Sequence, residues 1–217
     1  MSTRAIQLVS LTAIGCAGVA CGTTKAPTAE MAIAAKAGCG GQDLNDFYYP
    51  ADALLGTSEA DRQLRTDASR VLRAMGEVSL SCGNQSESYR LLWFHAFPNR
   101  KPTMVRLYRS ERWAVTAIQL AGLTDLRVRQ VVKQEDVENN EAKQFETALS
   151  TFRFWQRPTT IHHEAAQILG GGVVILEGRR ANGYRVFASR WPSDAAEMKP
   201  VCQIMLQIAG LTFDDME

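Results

Sequence analysis

The sequence predicts an α+β fold, a single domain in which helices pack on an antiparallel sheet built from hairpins, with about six strands and about three helices. The predicted strands follow one another as local hairpins and do not alternate with helices, which indicates antiparallel pairing. The predicted order along the chain is helix, four strands, helix, two strands and helix. The 217 residues are enough for one such domain with its own buried core.

Three segments have the apolar spacing and the end signals of helices. Apolar side chains recur at three-and-four spacing over residues 57–75, and a glycine follows. Asp136 is placed to cap a second helix over residues 137–155. A third helix is predicted over residues 199–210, where Pro200 is tolerated in the first turn.

Six shorter segments have the composition of strands. The first, residues 88–97, is aromatic-rich and too short for a typical helix, which predicts a strand buried on both faces. Asn182-Gly183, between two apolar runs, is the clearest hairpin signal. In residues 126–133 the alternation predicts one core face and one solvent face. The other predicted strands cover residues 104–109, 113–120, 173–178 and 184–191.

Residues 1–21 have the three parts of a secretory signal. Arg4 supplies a positive start, residues 5–14 are apolar, and small residues surround Cys16 and Cys21. The alternative is an N-terminal core helix, but the segment lacks the polar face that a surface helix needs. We therefore expect a targeting segment that directs the chain to export.

The residues before both cysteines resemble the signal of bacterial lipoproteins, in which small residues precede a cysteine that is acylated after cleavage. The matching segments are Ala13-Ile14-Gly15-Cys16, which has the better flanking residues, and Gly18-Val19-Ala20-Cys21. The resemblance implies a lipid anchor at Cys16 or Cys21. Neither cysteine is followed by aspartate, which implies retention at the outer membrane, facing the periplasm. Cleavage by the ordinary signal peptidase after Ala35-Lys36-Ala37 is the alternative, and it would give a soluble periplasmic or secreted protein.

The segment after the signal predicts a tether. Residues 22–41 are small and polar and offer little apolar surface to bury, so the entropy of ordering them is not recovered. We therefore expect a flexible linker there, followed by a single globular domain over residues 42–217.

The remaining cysteines are interpreted from their surroundings. Thiols tend to pair in an exported protein, and Cys39 and Cys82 both lie in glycine-containing polar segments, which makes them candidates for a disulfide. Cys202 lies in an apolar helical pattern and is expected to be a small buried hydrophobe. The sequence contains no CxxC motif, so a redox-active dithiol or a zinc site is disfavoured.

The C-terminal half resembles a group of uncharacterised exported bacterial proteins. The segments that carry the resemblance are Phe154-Trp155, Ile175-Leu176-Glu177-Gly178, Tyr184, Arg190-Trp191-Pro192 and Ile208-Ala209-Gly210-Leu211. Arg185 stands where that family has a histidine, so a proton-transfer role of the histidine does not carry over to this chain. The resemblance implies export and an α+β fold, and it implies no particular activity.

Several chemistries are disfavoured by charge and spacing. A net charge of +1 provides no overall field for nucleic acid, so we expect no such partner. Adjacent side chains such as His162-His163-Glu164 do not converge on one metal ion without a sharp backbone turn. Gly170-Gly171-Gly172 is not followed by the lysine of a phosphate-binding loop, and no serine-hydrolase motif occurs. We expect no metal and no cofactor.

Glu177 is the most informative polar residue. It ends an apolar run, and a half-buried carboxylate there needs a partner such as Arg190 or Tyr184. Two interpretations stay open: a hydrogen-bonded carboxylate that fixes the hairpin, or a general acid or base. The candidate functional cluster is therefore Glu177, Tyr184, Arg190 and Trp191.

A second polar feature is a basic strand face formed by Arg127, Arg129 and Lys133. It is interpreted either as a site for anionic lipid headgroups or a polyanion, or as an ordinary solvated face. Three more arginines are candidates for its neighbours: Arg106, Arg109 and Arg112.

Three functional hypotheses follow. The first is an envelope lipoprotein whose domain is a non-catalytic binding module for a protein or surface partner. The second is a small periplasmic enzyme that uses Glu177, Tyr184 and Arg190. The third is a soluble periplasmic ligand-binding protein. The first is favoured by the signal, by the linker and by the lack of a recognisable catalytic motif.

Overall fold

A computed structural model describes residues 48–49, 59–81, 87–95, 100–157, 172–181, 183–191 and 196–213. The described residues form three helices and six strands, so the predicted α+β class is confirmed. In chain order the elements are α1 (Glu59–Ala74), β1 (Ser88–His95), β2 (Thr103–Arg109), β3 (Trp113–Leu120), β4 (Arg129–Asp136), α2 (Asn139–Phe152), β5 (Gly172–Arg180), β6 (Gly183–Trp191) and α3 (Lys199–Ile208).

The six strands form one antiparallel sheet in the order β4-β3-β2-β1-β5-β6. Four of the five pairings join strands that are consecutive among the strands of the chain, as hairpin packing predicts. The fifth pairing, between β1 and β5, is the long-range one. It joins the β1–β4 meander to the β5–β6 hairpin, so β1 lies inside the sheet with a strand on each side.

Both faces of the sheet are covered by helices. One core contains α1 together with alternate residues of the strands, among them Leu92, Phe94 and Ile175. The other core contains α2 and α3 packed on the opposite face, with Trp93 and Leu176. Strand β1 is therefore buried on both faces, as its composition predicts.

The prediction for β4 was wrong in position and in its pattern of faces. The strand runs from Arg129 to Asp136, and its pairing with β3 shifts register between Ala117 and Ile118. Val128, which the alternation places on the face opposite Arg127 and Arg129, is 55% exposed. A bulge places two successive residues against one and breaks the alternation, which a period-two pattern does not anticipate.

Lys133 shows the consequence of this shift. Its Nζ atom donates to the carbonyl oxygen of Ile208 at 2.7 Å and pairs with Glu135 at 2.9 Å, so the lysine holds the C-terminal end of α3. A positive charge is favourable at a helix C-terminus. Lys133 therefore does not share an exposed basic face with Arg129.

The start of α2 also differs from the prediction. Asp136 is the last residue of β4, and the helix is capped by Glu138, whose side chain and that of Glu141 form a reciprocal capping box. Glutamate is an uncommon N-cap residue, so the aspartate was the stronger signal in the sequence. The helix ends at Phe152 because Arg153 adopts a left-handed conformation with φ 54°.

Cys202 lies in α3 and is completely buried, as the helical pattern predicts. Burial raises the pKa of the Cys202 thiol to about 12, so it stays protonated at neutral pH. The candidate disulfide residues Cys39 and Cys82 and the candidate lipidation residues Cys16 and Cys21 lie outside the described residues. Among the helices of the described residues, none is long and apolar enough to cross a bilayer.

Gly178 tests the packing of β5 against Tyr89 of β1 and against Phe154, which follows α2. A Cβ atom there would lie 2.7 Å from Phe154 Cε1 and 2.7 Å from Tyr89 Cδ1, both in buried aromatic rings. We expect Gly178→Ala to lower the free energy of unfolding by about 1–3 kcal/mol, because the rings must shift. Urea denaturation measures this.

The matched control is Gly183→Ala, since a Cβ atom at Gly183 would meet Trp155 at an ordinary contact distance of 3.6 Å. We expect a much smaller change for this variant. Equal changes for the two variants would contradict the packing described here.

Candidate functional site

The most concentrated polar group in the described residues is a buried cluster between the sheet and the segment that follows α1. Arg90 of β1 and Glu177 of β5 are directly opposite each other in the strand pairing. Their side chains point to the α1 face, and both are 0% exposed. Arg90 Nε donates to Glu177 Oε1 at 2.7 Å. Directly opposed residues of opposite charge are well placed to pair across strands.

A second carboxylate reaches the same arginine from the end of α1. Gly76 turns the chain with φ 72°, and Glu77 follows it. Arg90 Nη1 donates to Glu77 Oε2 at 3.1 Å and to the carbonyl oxygen of Val78 at 2.7 Å. Arg106 of β2 also pairs with Glu77 Oε2, at 3.3 Å. Two arginines and two glutamates thus balance their charges, with Arg90, Glu77 and Glu177 buried and Arg106 23% exposed.

Two tyrosines border the pair. The Tyr184 hydroxyl donates to Glu177 Oε2 at 3.0 Å. Burial and then the charge of Glu177 raise the pKa of Tyr184, and the same two causes raise the pKa of the fully buried Tyr49. The Tyr49 hydroxyl and Arg90 Nη2 make no hydrogen bond of normal geometry with a described residue.

Arg90 stays charged in spite of its position. Burial alone would lower the pKa of Arg90, but the negative charges of Glu177 and Glu77 nearby contribute to holding the pKa above its usual value. Removing charges from water costs several kcal/mol per ion, and the attraction between them offsets this only when the geometry is good. The Arg90–Glu177 contact meets that requirement at 2.7 Å.

The same region holds the connection between α1 and β1. Arg179 Nη1 donates to the carbonyl oxygens of Ser81 at 2.7 Å and Leu80 at 3.3 Å. The Tyr48 hydroxyl donates to the carbonyl oxygen of Glu77 at 2.8 Å. Together with Arg90 on Val78, these donors hold the backbone of residues 77–81 against the sheet.

The structure brings together two of the four residues in the sequence-predicted cluster. Glu177 and Tyr184 are hydrogen bonded, whereas the side chains of Arg190 and Trp191 lie outside the described residues. The guanidinium group that binds Glu177 belongs to Arg90. Sequence reasoning missed Arg90, although an arginine inside a strand that is mostly aromatic or apolar signals a buried ion pair.

The arrangement is suited to holding structure more than to chemistry on a substrate. Both oxygens of Glu177 accept hydrogen bonds, one from Arg90 and one from Tyr184. The Glu177 and Arg90 side chains are 0% exposed and that of Glu77 is 4% exposed. A general acid or base must come within hydrogen-bond reach of a substrate, which this enclosure does not offer.

The described residues contain no group of three or more histidine, cysteine, aspartate or glutamate side chains that could hold a metal ion. His162, His163 and Glu164 lie outside the described residues. Comparison of the chain with known protein families, with curated proteins and with solved structures gives no match.

The raised tyrosine pKa values predict a loss of stability at alkaline pH. The unfolded chain ionises tyrosine near pH 10, about its ordinary pKa, while Tyr184 and Tyr49 stay protonated in the folded protein. The contribution of these two tyrosines to the free energy of unfolding is therefore fully present below about pH 10. It is lost as the pH rises toward the folded-state pKa. We expect the free energy of unfolding to fall above this pH, and to fall less steeply for Tyr184→Phe. Urea denaturation over a pH series measures both slopes, and parallel curves would contradict the role given to Tyr184.

Proposed function

We propose that the chain is a lipoprotein of a bacterial-type cell envelope, anchored through Cys16 or Cys21, and that its α+β domain is a non-catalytic binding module. The observation that carries this proposal is the order of Arg4, the apolar residues 5–14 and the small residues before both cysteines. That order is typical of a secretory signal, and its end resembles a lipoprotein signal.

The composition of the next segment supports an anchored domain. Residues 22–41 are the linker in this proposal, and they separate the acylated cysteine from the domain. The absence of aspartate after either cysteine favours the outer membrane, with the domain facing the periplasm. The partner is then an envelope protein or the membrane surface itself.

The buried cluster supports binding over catalysis. The enzyme hypothesis depended on Glu177, Tyr184 and Arg190. Glu177 is hydrogen bonded to Tyr184 and to Arg90 inside the fold, while the Arg190 side chain lies outside the described residues. Such a cluster specifies and stabilises a fold without contacting a substrate. A role for the domain is therefore better sought on its surface.

The intact mass of the mature protein, extracted from membranes of a bacterial host, tests the anchor. We expect a chain that begins at Cys16 or Cys21 and carries acyl groups. The two test variants are Cys16→Ser and Cys21→Ser. The substitution at the acylated cysteine should abolish the added mass and release the protein from the membrane fraction. The other substitution should leave acylation intact. An unacylated chain that begins further on, for instance at Gly38, would contradict the proposal.

A further inference from the structure

Four basic residues lie at one end of the sheet, where β2 begins and β4 begins: Arg100, Lys101, Arg127 and Arg129. The strand pairing places them close together. The backbone N–H of Leu120, at the end of β3, donates to the carbonyl oxygen of Pro102 at 3.0 Å, and Leu120 is also the partner of Arg129 in β4. Neighbouring strands are about 4.8 Å apart, so residues on β2 and β4 at this level are about 10 Å apart.

Within the part of the chain that the structure describes, the charge of this end is not neutralised by ion pairs. None of the four basic side chains forms an ion pair with a described residue, whereas Arg106, Arg109 and Lys133 each have a carboxylate partner. The one carboxylate between β3 and β4 is that of Asp125, which accepts a hydrogen bond from the backbone N–H of Arg127 at 3.3 Å. Counting the described residues alone, four cations against one carboxylate give this end a charge of +3.

This end also exposes apolar side chains. Val128 lies between Arg127 and Arg129 in the sequence and is 55% exposed, and Val131 is 49% exposed. Most valines of the sheet are buried in one of the two cores. Exposed apolar side chains among cations that have no ion-pair partner in the described segments match a surface with anionic headgroups above an apolar interior.

We propose that this basic end, defined as Arg100, Lys101, Arg127, Val128 and Arg129, docks on the anionic surface of a lipid bilayer. The cations bind headgroup phosphates, and Val128 contacts the acyl boundary. Arg112 is not part of this surface, because it lies in the turn between β2 and β3 at the opposite end of the strands.

The inference rests on the proposed function, which places the domain beside a membrane. A linker of the length of residues 22–41 has a root-mean-square reach of about 25 Å, so an anchored domain meets the bilayer at high effective concentration. Under these conditions a surface with weak affinity is enough to fix the orientation of the domain.

Vesicle binding of the chain from residue 22 onward tests the inference. This chain carries no acyl group and keeps every described residue, including both cores and the whole sheet. The probes are vesicles of phosphatidylcholine alone and of an equimolar mixture with phosphatidylglycerol, followed by co-sedimentation. We expect binding to the mixed vesicles, weakened by added salt, and little binding to phosphatidylcholine alone.

Charge reversal locates the surface. The double substitution Lys101→Glu with Arg127→Glu should weaken binding to the mixed vesicles by about tenfold or more. The matched control, Arg112→Glu with Lys143→Glu, changes the net charge equally at exposed positions away from this end and should retain most of the affinity. Melting temperatures close to that of the parent chain verify that both variants are folded.

Two results would overturn the inference. The first is that the parent chain binds both kinds of vesicle equally, or binds neither. The second is that the two double variants lose affinity equally. The outcome is separable from that of the intact-mass experiment. If the mature protein is acylated but its domain shows no preference for vesicles that contain phosphatidylglycerol, only the docking surface is contradicted. If the mature protein is unacylated but the domain binds the mixed vesicles in a salt-sensitive way, the docking surface is supported and the lipid anchor is contradicted.

Discussion

The buried ion pair between Arg90 and Glu177 is the interaction on which the rest of the structure depends. The β1–β5 pairing joins the two parts of the sheet, and this pair lies on it at directly opposed positions with no exposure to solvent. A shift of one strand against the other would separate each buried charge from its nearest partner, and this would carry a large penalty. A purely apolar interface would tolerate alternative pairings more readily.

The ion pair also explains why the end of α1 is held against the sheet. Arg90 has donors left after binding Glu177, and it uses them on Glu77 and on the carbonyl oxygen of Val78. The turn at Gly76 brings these acceptors over β1, which closes the core on the α1 face. Because both carboxylate oxygens of Glu177 are occupied in this structural role, the proposed contacts with a partner belong to the surface of the domain.

The fold was largely predictable from local patterns, and the site was predictable in part. Helices and hairpins have short-range signals, and the double burial of β1 follows from its aromatic composition. Glu177 could be singled out because a carboxylate at the end of an apolar run needs a partner, and Tyr184 is near it in the hairpin. Arg90 is 87 residues away in sequence, and nothing local indicates that β5 pairs with β1. The shifted β4 follows from a bulge set by tertiary packing, which alternation in the sequence does not encode.

A double-mutant cycle on Arg90 and Glu177 tests the central claim most directly, with unfolding free energies from urea denaturation. We expect Arg90→Met and Glu177→Met each to cost about 3–5 kcal/mol, because each leaves a buried charge without this partner. The double variant should be clearly more stable than the sum predicts, with a coupling of about 2 kcal/mol or more. Arg109→Met, at a side chain that is 50% exposed in its ion pair, should cost less than about 1 kcal/mol. Additive effects of the two buried substitutions, or single effects as small as that of Arg109→Met, would contradict the account.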